Sequence, residues 1–197
     1  MPPRLDRLHA IRVVLVAPSH PGNVGGAARA MQTMGLTRLV LVRPRRHPDP
    51  EAVALTYGKQ SLRYGELQDA VTRFASGLVG LGLQRGERVA IYLEKRFETV
   101  IASFGAPAAG GVFVPLNPLL KPEQVAYIMR DCNVRVLVTS PERLILLRET
   151  LPACHDLRHV VVLDSPSALS ALGGLNVLSW STLLDAPSAP GHRVIDT

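Results

Sequence analysis

The chain has 197 residues, 47% of them hydrophobic and 19% charged, a balance typical of a folded globular protein rather than a disordered chain. Residues 1–52 hold 8 Arg and 3 acidic residues (net +5), and residues 53–197 supply only +1 of the overall +6. A polyanion partner is therefore suggested for the first segment alone. Only two cysteines are present, which argues against a disulfide scaffold and predicts a reducing, cytoplasmic location.

The first fifty residues predict a β-α-β unit. Residues 11–17 form a short Val-rich run, the pattern of a strand buried on both faces. A Pro/Gly turn follows, and Asn23 is placed to cap a helix that ends near Met34. Residues 38–42 supply a second strand, which we expect to run parallel to the first.

Arg29 lies on the polar face of the predicted helix, one turn after Gly25. An Arg on a face cleared by glycine could contact a phosphate backbone, and the alternative is a solvated Arg on an amphipathic helix. The spacing Asn23-x-Gly25-x-x-x-Arg29 and its flanks to Ala52 resemble the N-terminus of SpoU-type (SPOUT) tRNA 2′-O-methyltransferases. The resemblance implies a catalytic role for Arg29 near the target ribose hydroxyl, with Asn23 in support.

The methyltransferase family binds S-adenosylmethionine in a C-terminal trefoil knot, and nothing after Ala52 resembles its motifs. The resemblance therefore implies that an RNA contact could survive in residues 1–52, whereas methyl transfer could not.

Residues 53–163 predict an alternation of helices with Val-rich strands, which is typical of an α/β sheet with helices on its faces. The predicted order is two short strands around a Gly-Lys turn, then helix and strand in turn. The helices predicted are one ending near Gly82 and others over 97–106, from Pro122, and from Pro141 with Ser140 as cap. The strands predicted are 88–93, 112–116, 135–139 and 159–163.

Two other regions shape the prediction. Residues 99–120 carry no charge over 22 positions, but their Pro and Gly residues predict a helix, a turn and a strand rather than a membrane span. After Asp164 the composition predicts loops, interrupted by a short strand at 176–180.

The second part of the chain resembles the N-terminal region of AMP-forming acyl-CoA synthetases, the adenylate-forming superfamily. The resemblance covers about Glu51 to Thr197 and rests on Ser61-Leu-Arg-Tyr-Gly-Glu-Leu67 and Ala109-Gly-Gly-Val-Phe-Val-Pro-Leu-Asn117. The sequence of residues 117–140 most resembles the ligase branch associated with exosortase systems. The matching positions are scaffold positions: Gly110 and Gly111 for tight helix-to-strand packing, and Pro115 for the end of a strand.

The resemblance implies a reaction in two steps. A carboxylate attacks the α-phosphate of Mg·ATP to give an acyl-adenylate, and a thiol, usually that of CoA, then displaces AMP. The family's Ser/Thr/Gly-rich phosphate loop with its Lys, expected just after Asp196, and its late catalytic Lys are missing from the sequence. We therefore expect no ligase catalytic residue, no cofactor-binding residue and no metal ligand, and an incomplete sheet that self-associates.

One further cluster is Cys154, His155 and His159. On a single helix the two His residues could share a metal, but Pro152 and the strand predicted from residue 159 interrupt any helix there. We expect no metal site at this position.

The sequence predicts residues 1–52 as a methyltransferase-like fragment and residues 53–197 as part of an AMP-binding domain, joined within Pro44–Thr56 with almost no linker. The leading hypothesis is a truncated ligase, inactive alone, whose parent takes a carboxylate that this sequence does not identify. The alternative is an RNA-binding remnant that contacts tRNA. A third interpretation is an artefact of gene prediction or sequence assembly that joins two reading frames.

Overall fold

The computed structural model describes residues 12–16, 27, 38–42, 53–163 and 174–185. The chain divides into two compact units, Met1–Ala52 and Val53–Thr197. Each unit is described by itself below.

In the first unit, strands β1 (Arg12–Val16) and β2 (Arg38–Val42) pair in parallel, with Arg12 opposite Arg38 and Val16 opposite Val42. Ala27, between them in sequence, is helical. The predicted parallel strand pair is confirmed, but burial of the first strand on both faces is wrong. Val14 and Val16 are 49% and 69% exposed, because the described sheet is only two strands wide and one of its faces is left open.

The second unit opens with an antiparallel hairpin followed by a long helix. The hairpin strands are β3 (Val53–Tyr57) and β4 (Gln60–Arg63), joined at Gly58, whose φ of 61° suits glycine. Helix α1 (Tyr64–Gly80) starts where the Arg63 amide donates to Glu66 Oε2 at 2.8 Å. The hairpin and helix lie where the sequence predicts them.

A five-stranded parallel sheet forms the centre of the second unit. Its strands, in the spatial order β6-β5-β7-β8-β9, are β5 (Arg88–Tyr92), β6 (Val112–Pro115), β7 (Val134–Thr139), β8 (His159–Val162) and β9 (Asn176–Ser179). The helices between and after them are α2 (Phe97–Ala108), α3 (Pro122–Asp131), α4 (Pro141–Leu147) and α5 (Trp180–Leu184), with a 3₁₀ turn at Leu151–Ala153.

Two hydrophobic cores cover the two faces of this sheet. The chain leaves β5 toward β6 and then crosses back to β7, so right-handed crossovers place α2 and α3 on opposite faces. One core joins the sheet to α1, α2 and α5 and includes Phe74, Ala102 and Leu183. The other joins it to α3 and α4 and includes Met129 and Leu144. The α/β fold with helices packed on a mainly parallel sheet is thus confirmed.

The structure differs from the sequence prediction in two helices. Helix α2 continues past Pro107 to Ala108, two residues beyond the predicted end at 106, because a proline near a helix end disturbs few hydrogen bonds. Helix α5 is missing from the prediction, which placed Trp180 in a strand. The Ser179 hydroxyl accepts from the Thr182 amide at 3.0 Å and starts a helix of five residues.

Residues 99–120 form the predicted helix, turn and strand. Among the described residues, no helix combines the length and apolar character needed to cross a bilayer.

Candidate functional site at the carboxyl edge of the sheet

The strand order reverses direction between β5 and β7. Open parallel α/β sheets bind ligands outside the carboxyl ends of their strands at such a reversal, where the helices leave on opposite faces. The residues at that place are Tyr92, the last residue of β5, Glu94 after it, Thr139, the last residue of β7, and Ser140 after it. The crevice between these strand ends is therefore the candidate site.

Arg143 is the central side chain of this edge. It stands in the first turn of α4, where the Ser140 hydroxyl accepts from its amide at 3.4 Å. Its Nε donates to Glu94 Oε1 at 3.1 Å, its Nη2 donates to the same oxygen, and its Nη1 donates to the Pro118 carbonyl at 2.8 Å. Its guanidinium carbon lies 4.6 Å from the centre of the Tyr92 ring, a cation–π arrangement.

The loop between β6 and α3 lies against the same edge. The Tyr92 hydroxyl donates to the Leu120 carbonyl at 2.9 Å, and Thr139 Oγ1 donates to the Tyr92 carbonyl at 3.1 Å. Asn117 shapes the loop, since its Oδ1 accepts from the Leu119 amide at 2.9 Å. Together with the contact from Arg143 to Pro118, these bonds hold the loop across the crevice between β5 and β7.

The electrostatics of the edge follow from these contacts. The hydrogen bond from Arg143 lowers the pKa of Glu94 below its ordinary value of 4.5. Partial burial opposes charging of Arg143, but its hydrogen bond with Glu94 and the Glu94 charge raise its pKa. The hydrogen bond with the Ser140 hydroxyl lowers the pKa of Glu142. The Arg143 guanidinium therefore stays positively charged, and the Glu94 carboxylate balances that charge.

These residues do not fit a nucleotide. Binding a triphosphate requires unpaired donors aimed at its oxygens, whereas Arg143 already donates to Glu94 and to Pro118. A phosphate bound by the Arg143 guanidinium would have to displace the Glu94 carboxylate or the Pro118 carbonyl. The arrangement therefore works as a clamp that joins β5, α4 and the loop between β6 and α3.

A second polar cluster lies at the amino ends of the strands. Arg135 Nε donates to Glu87 Oε1 at 3.0 Å and its Nη1 to Asp156 Oδ1 at 2.7 Å, while Asn133 donates to Asp156 Oδ2 at 2.8 Å. The hydrogen bond from Asn133, followed by the charge of Arg135, lowers the pKa of Asp156. This cluster ties the entries of β7 and β8 to that of β5.

The scaffold positions predicted from the sequence behave as expected. Gly111 brings α2 close to the turn before β5, since a Cβ at that position would lie 2.9 Å from Leu83 Cδ2 and 3.2 Å from the Ala106 carbonyl oxygen. Gly110 has a φ of 83°, which favours glycine, and Pro115 is the last residue of β6.

The predicted methyltransferase-like residues, Asn23 and Arg29, lie outside the described residues. Of the predicted cluster, Cys154 is buried at the end of the 3₁₀ turn, His155 is exposed and His159 begins β8. Burial raises the pKa of Cys154 and lowers that of His159. Within the part of the chain that the structure describes, no group of three or more His, Cys, Asp or Glu is placed to hold a metal.

Glu94, Tyr92 and Arg143 are not among the site residues predicted from the sequence. Glu94 follows a buried strand and Arg143 stands in the first turn after another. The sequence therefore contained a signal for their proximity. Glu94 and Arg143 both follow the carboxyl ends of strands in a parallel sheet, and these ends lie at the same edge.

Comparison with known proteins identifies the family. The family model described as AMP-binding enzyme matches residues 42–190. The chain belongs to this family. Among its curated relatives are N-(5-amino-5-carboxypentanoyl)-L-cysteinyl-D-valine synthase of Streptomyces clavuligerus, 37% identical over 148 residues, and 3-hydroxybenzoate–CoA ligase of Aromatoleum sp., 33% identical over 138 residues. These alignments cover 72% and 70% of this AMP-binding chain, but only 18% and 26% of the two relatives.

Solved structures show the same fold. An anthranilate CoA ligase in complex with anthranoyl-AMP aligns with a TM-score of 0.62 and 28% identity, covering 73% of this chain and 28% of that one. A mutant form of coronafacic acid ligase from Pectobacterium brasiliense aligns with a TM-score of 0.66 at 19% identity, a likeness of fold alone, and covers 72% and 28%. This AMP-binding chain thus spans about a quarter of the ligases it matches.

A second kind of relative matches a shorter part of the chain. The tRNA (cytidine/uridine-2′-O-)-methyltransferase of Sodalis glossinidius is 54% identical over 55 residues, which is 28% of this chain and 22% of that protein. The predicted resemblance to SpoU-type enzymes therefore has a counterpart among known proteins.

Proposed function

We propose that the second unit is the N-terminal scaffold of an adenylate-forming ligase that joins a carboxylic acid to a thiol. The observation that supports this most is the family match over residues 42–190, together with a fold that aligns with an anthranilate CoA ligase at a TM-score of 0.62. In the parent reaction a carboxylate attacks the α-phosphate of ATP, pyrophosphate leaves, and a thiol then displaces AMP to form the thioester. In that chemistry ATP would supply the adenylyl group, and Mg²⁺ would offset the charge on its phosphate oxygens.

The part assigned to this chain is structural. Gly111 and Pro115 set the packing of the motif shared with the family, and Arg143 fixes the loop that follows it. Because Arg143 is paired with Glu94, no step of adenylation is assigned to the carboxyl edge. We accordingly propose that the 197-residue chain by itself catalyses no carboxylate-dependent exchange between ATP and pyrophosphate.

Two measurements test this function. The purified chain should show no ATP–pyrophosphate exchange with 3-hydroxybenzoate or anthranilate, and exchange above background would refute the claim that it is inactive alone. In addition, residues 53–185 should replace the matching segment of the 3-hydroxybenzoate–CoA ligase and retain exchange. The same graft carrying Gly111→Leu should lose it, because the leucine would collide with Leu83 and the Ala106 carbonyl.

The graft needs a control for its junctions. The matching segment of the anthranilate CoA ligase, inserted at the same two positions, should also retain exchange. If that control works and the graft from this chain does not, the scaffold proposal fails.

A second candidate function belongs to the first unit. We propose that residues 1–52 are a SpoU-methyltransferase-like fragment that contacts tRNA through Arg29, with Asn23 in support. The 54% identity over 55 residues to a tRNA methyltransferase and the net charge of +5 support it. A mobility shift with tRNA at moderate salt should detect binding that Arg29→Ala removes. Arg45→Ala also deletes one positive charge and should only weaken binding, so it serves as the control for charge alone. Equal effects of the two substitutions would contradict a specific role for Arg29.

We propose that the protein joins a methyltransferase-like part to an AMP-binding part. The AMP-binding family model begins at Val42 and therefore overlaps the predicted junction at Pro44–Thr56. Cys132 and Cys154 are both free thiols, which supports the proposed location in the reducing cytoplasm.

A further inference from the structure

The outer surface of α3 and α4 exposes large apolar side chains. Tyr127 of α3 is 62% exposed, and Ile145 and Leu146 of α4 are each 59% exposed. The two helices cover the same face of the sheet with their inner sides, through residues such as Met129 and Leu144. The α3–α4 face, defined by Tyr127, Ile145 and Leu146, therefore points away from the core.

Charges on α3 are arranged symmetrically about Tyr127. Lys121 and Glu123 precede it, Arg130 and Asp131 follow it, and all four are exposed. At 100° per residue, Glu123 and Arg130 lie about 40° and 60° from Tyr127, so all three share one side of the helix. The midpoint of the pair Glu123/Arg130 falls within about one residue of Tyr127, and the two members have opposite signs.

Within the described part of the chain, none of these four charged side chains takes part in an ion pair such as those that join Arg135 to Glu87 or Arg143 to Glu94. A helix with such a pattern is complementary to itself when a second copy runs antiparallel to it. Glu123 then faces Arg130 of the other copy.

We propose that the α3–α4 face binds a second copy of this chain through an antiparallel α3–α3 contact on a twofold axis near Tyr127. Each charge pair occurs twice across such an axis, and the two helix dipoles oppose one another favourably. The two Tyr127 rings meet at the centre, flanked by Ile145 and Leu146, as an apolar contact with a charged rim. This proposal is independent of the catalytic function proposed above.

The contact is small, essentially one helix pair, so we expect a reversible dimer with a dissociation constant in the range of roughly 1–100 µM. Sedimentation velocity of the 197-residue chain over that concentration range should show the monomer converting to dimer. Tyr127→Asp should abolish the dimer. Raised salt should weaken it, because the rim charges are exposed.

Charge reversal provides the sharper test. Glu123→Arg alone and Arg130→Glu alone should each weaken the dimer roughly 10-fold, since each reversal places like charges together twice. The double variant Glu123→Arg/Arg130→Glu should restore the wild-type dissociation constant. Asp69→Arg is the matched control, because Asp69 is an exposed residue of α1, which packs on the opposite face of the sheet. This substitution should leave the dissociation constant unchanged.

Trp180 is the sole tryptophan of the chain and packs against Phe74 at 4.9 Å between ring centres, so its fluorescence confirms that each variant is folded. A chain that stays monomeric at all concentrations would overturn the proposal and leave the face to another occupant, such as further parts of a longer ligase. A dimer unaffected by the single reversals, or a double variant that fails to recover, would equally overturn it.

Discussion

At the scale of single residues, Arg143 makes more of the described side-chain contacts at the carboxyl edge than any other residue there. It connects the segments after β5, β6 and β7, and it is held by a carboxylate, a backbone carbonyl and an aromatic ring at once. Its side chain is only 13% exposed, which limits screening by solvent. Removal of the guanidinium would leave the Pro118 carbonyl and the Glu94 carboxylate without this donor.

Arg143→Met should therefore lower the free energy of unfolding by about 1–2 kcal/mol, as expected for a part-buried group that loses its charged donor. Urea denaturation followed by Trp180 fluorescence measures this change. Hydrogen exchange of the Leu119 and Leu120 amides should also speed up, because the loop loses its anchor. Arg148→Met, at an exposed arginine in the same helical region, should stay within about 0.5 kcal/mol of the wild type. Equal effects of the two substitutions would show that Arg143 is not a clamp.

The Glu94 carboxylate gives stability a dependence on pH. Its pKa is lowered in the folded protein, so the folded state favours the charged form and gains stability above the ordinary carboxyl pKa of 4.5. That contribution is lost as the pH falls through the lowered pKa. Urea midpoints measured from about pH 6 to about pH 3 should fall less steeply in Glu94→Gln than in the wild type. The difference should remain below about 1 kcal/mol, because the Glu94 side chain is 55% exposed. Identical slopes would contradict this assignment.

At the scale of elements, close approach of helices decides where glycine is required. Helix α1 carries Gly77 opposite Leu183 of α5, and a Cβ at Gly77 would overlap the Leu183 backbone and lie 2.7 Å from its Cγ. Gly80, one turn later on the same helix, has no atom within 4 Å of the position its Cβ would take. The two glycines share a helix and differ in what faces them.

Gly77→Ala should destabilise the second unit by about 1–3 kcal/mol, since overpacking exceeds the gain in helix propensity. Gly80→Ala should be neutral or stabilising by up to about 1 kcal/mol, because only the propensity changes. Thermal unfolding monitored by Trp180 compares them directly, since Trp180 begins the helix that contacts Gly77. A stabilised Gly77→Ala variant would mean that α5 does not pack as described.

The elements that the sequence predicted well are those with local signals. The strand at Arg38–Val42 and the helix that begins at Pro122 agree with prediction to the residue, because a Val/Leu run and a proline at the first helical position act over a few residues. Helix α5 escaped prediction because five residues are too few to show helical periodicity. Glu94 and Arg143 are 49 positions apart, so their pairing depends on the strand order, which no local pattern contains.

At the scale of the whole molecule, each unit has an apolar surface of its own. In the first unit Val14, Val16 and Val42 are exposed on the β1–β2 pair, and in the second unit the α3–α4 face is exposed. The second surface carries the exposed, oppositely charged Glu123 and Arg130 on the same side of α3 as Tyr127, which favours the proposed antiparallel geometry. The first surface consists of three β-branched valines on two strands. Such a surface favours unspecific association between chains.

We therefore expect the valine surface to cause aggregation of the full chain, and the α3–α4 face to cause only reversible dimerisation. Val14→Thr combined with Val16→Thr keeps β-branched side chains in β1 while adding hydroxyls, so the strand should persist and aggregation should fall. Static light scattering after incubation at raised temperature should show several-fold less aggregate. The unfolding temperature reported by Trp180 should not change, because Trp180 belongs to the second unit. Val13→Thr, at a half-buried position on the same strand, serves as the matched control and should not reduce aggregation, since it leaves both exposed valines in place. If the Val14/Val16 variant aggregates as fast as the wild type while Tyr127→Asp does not, the α3–α4 face would be the cause instead.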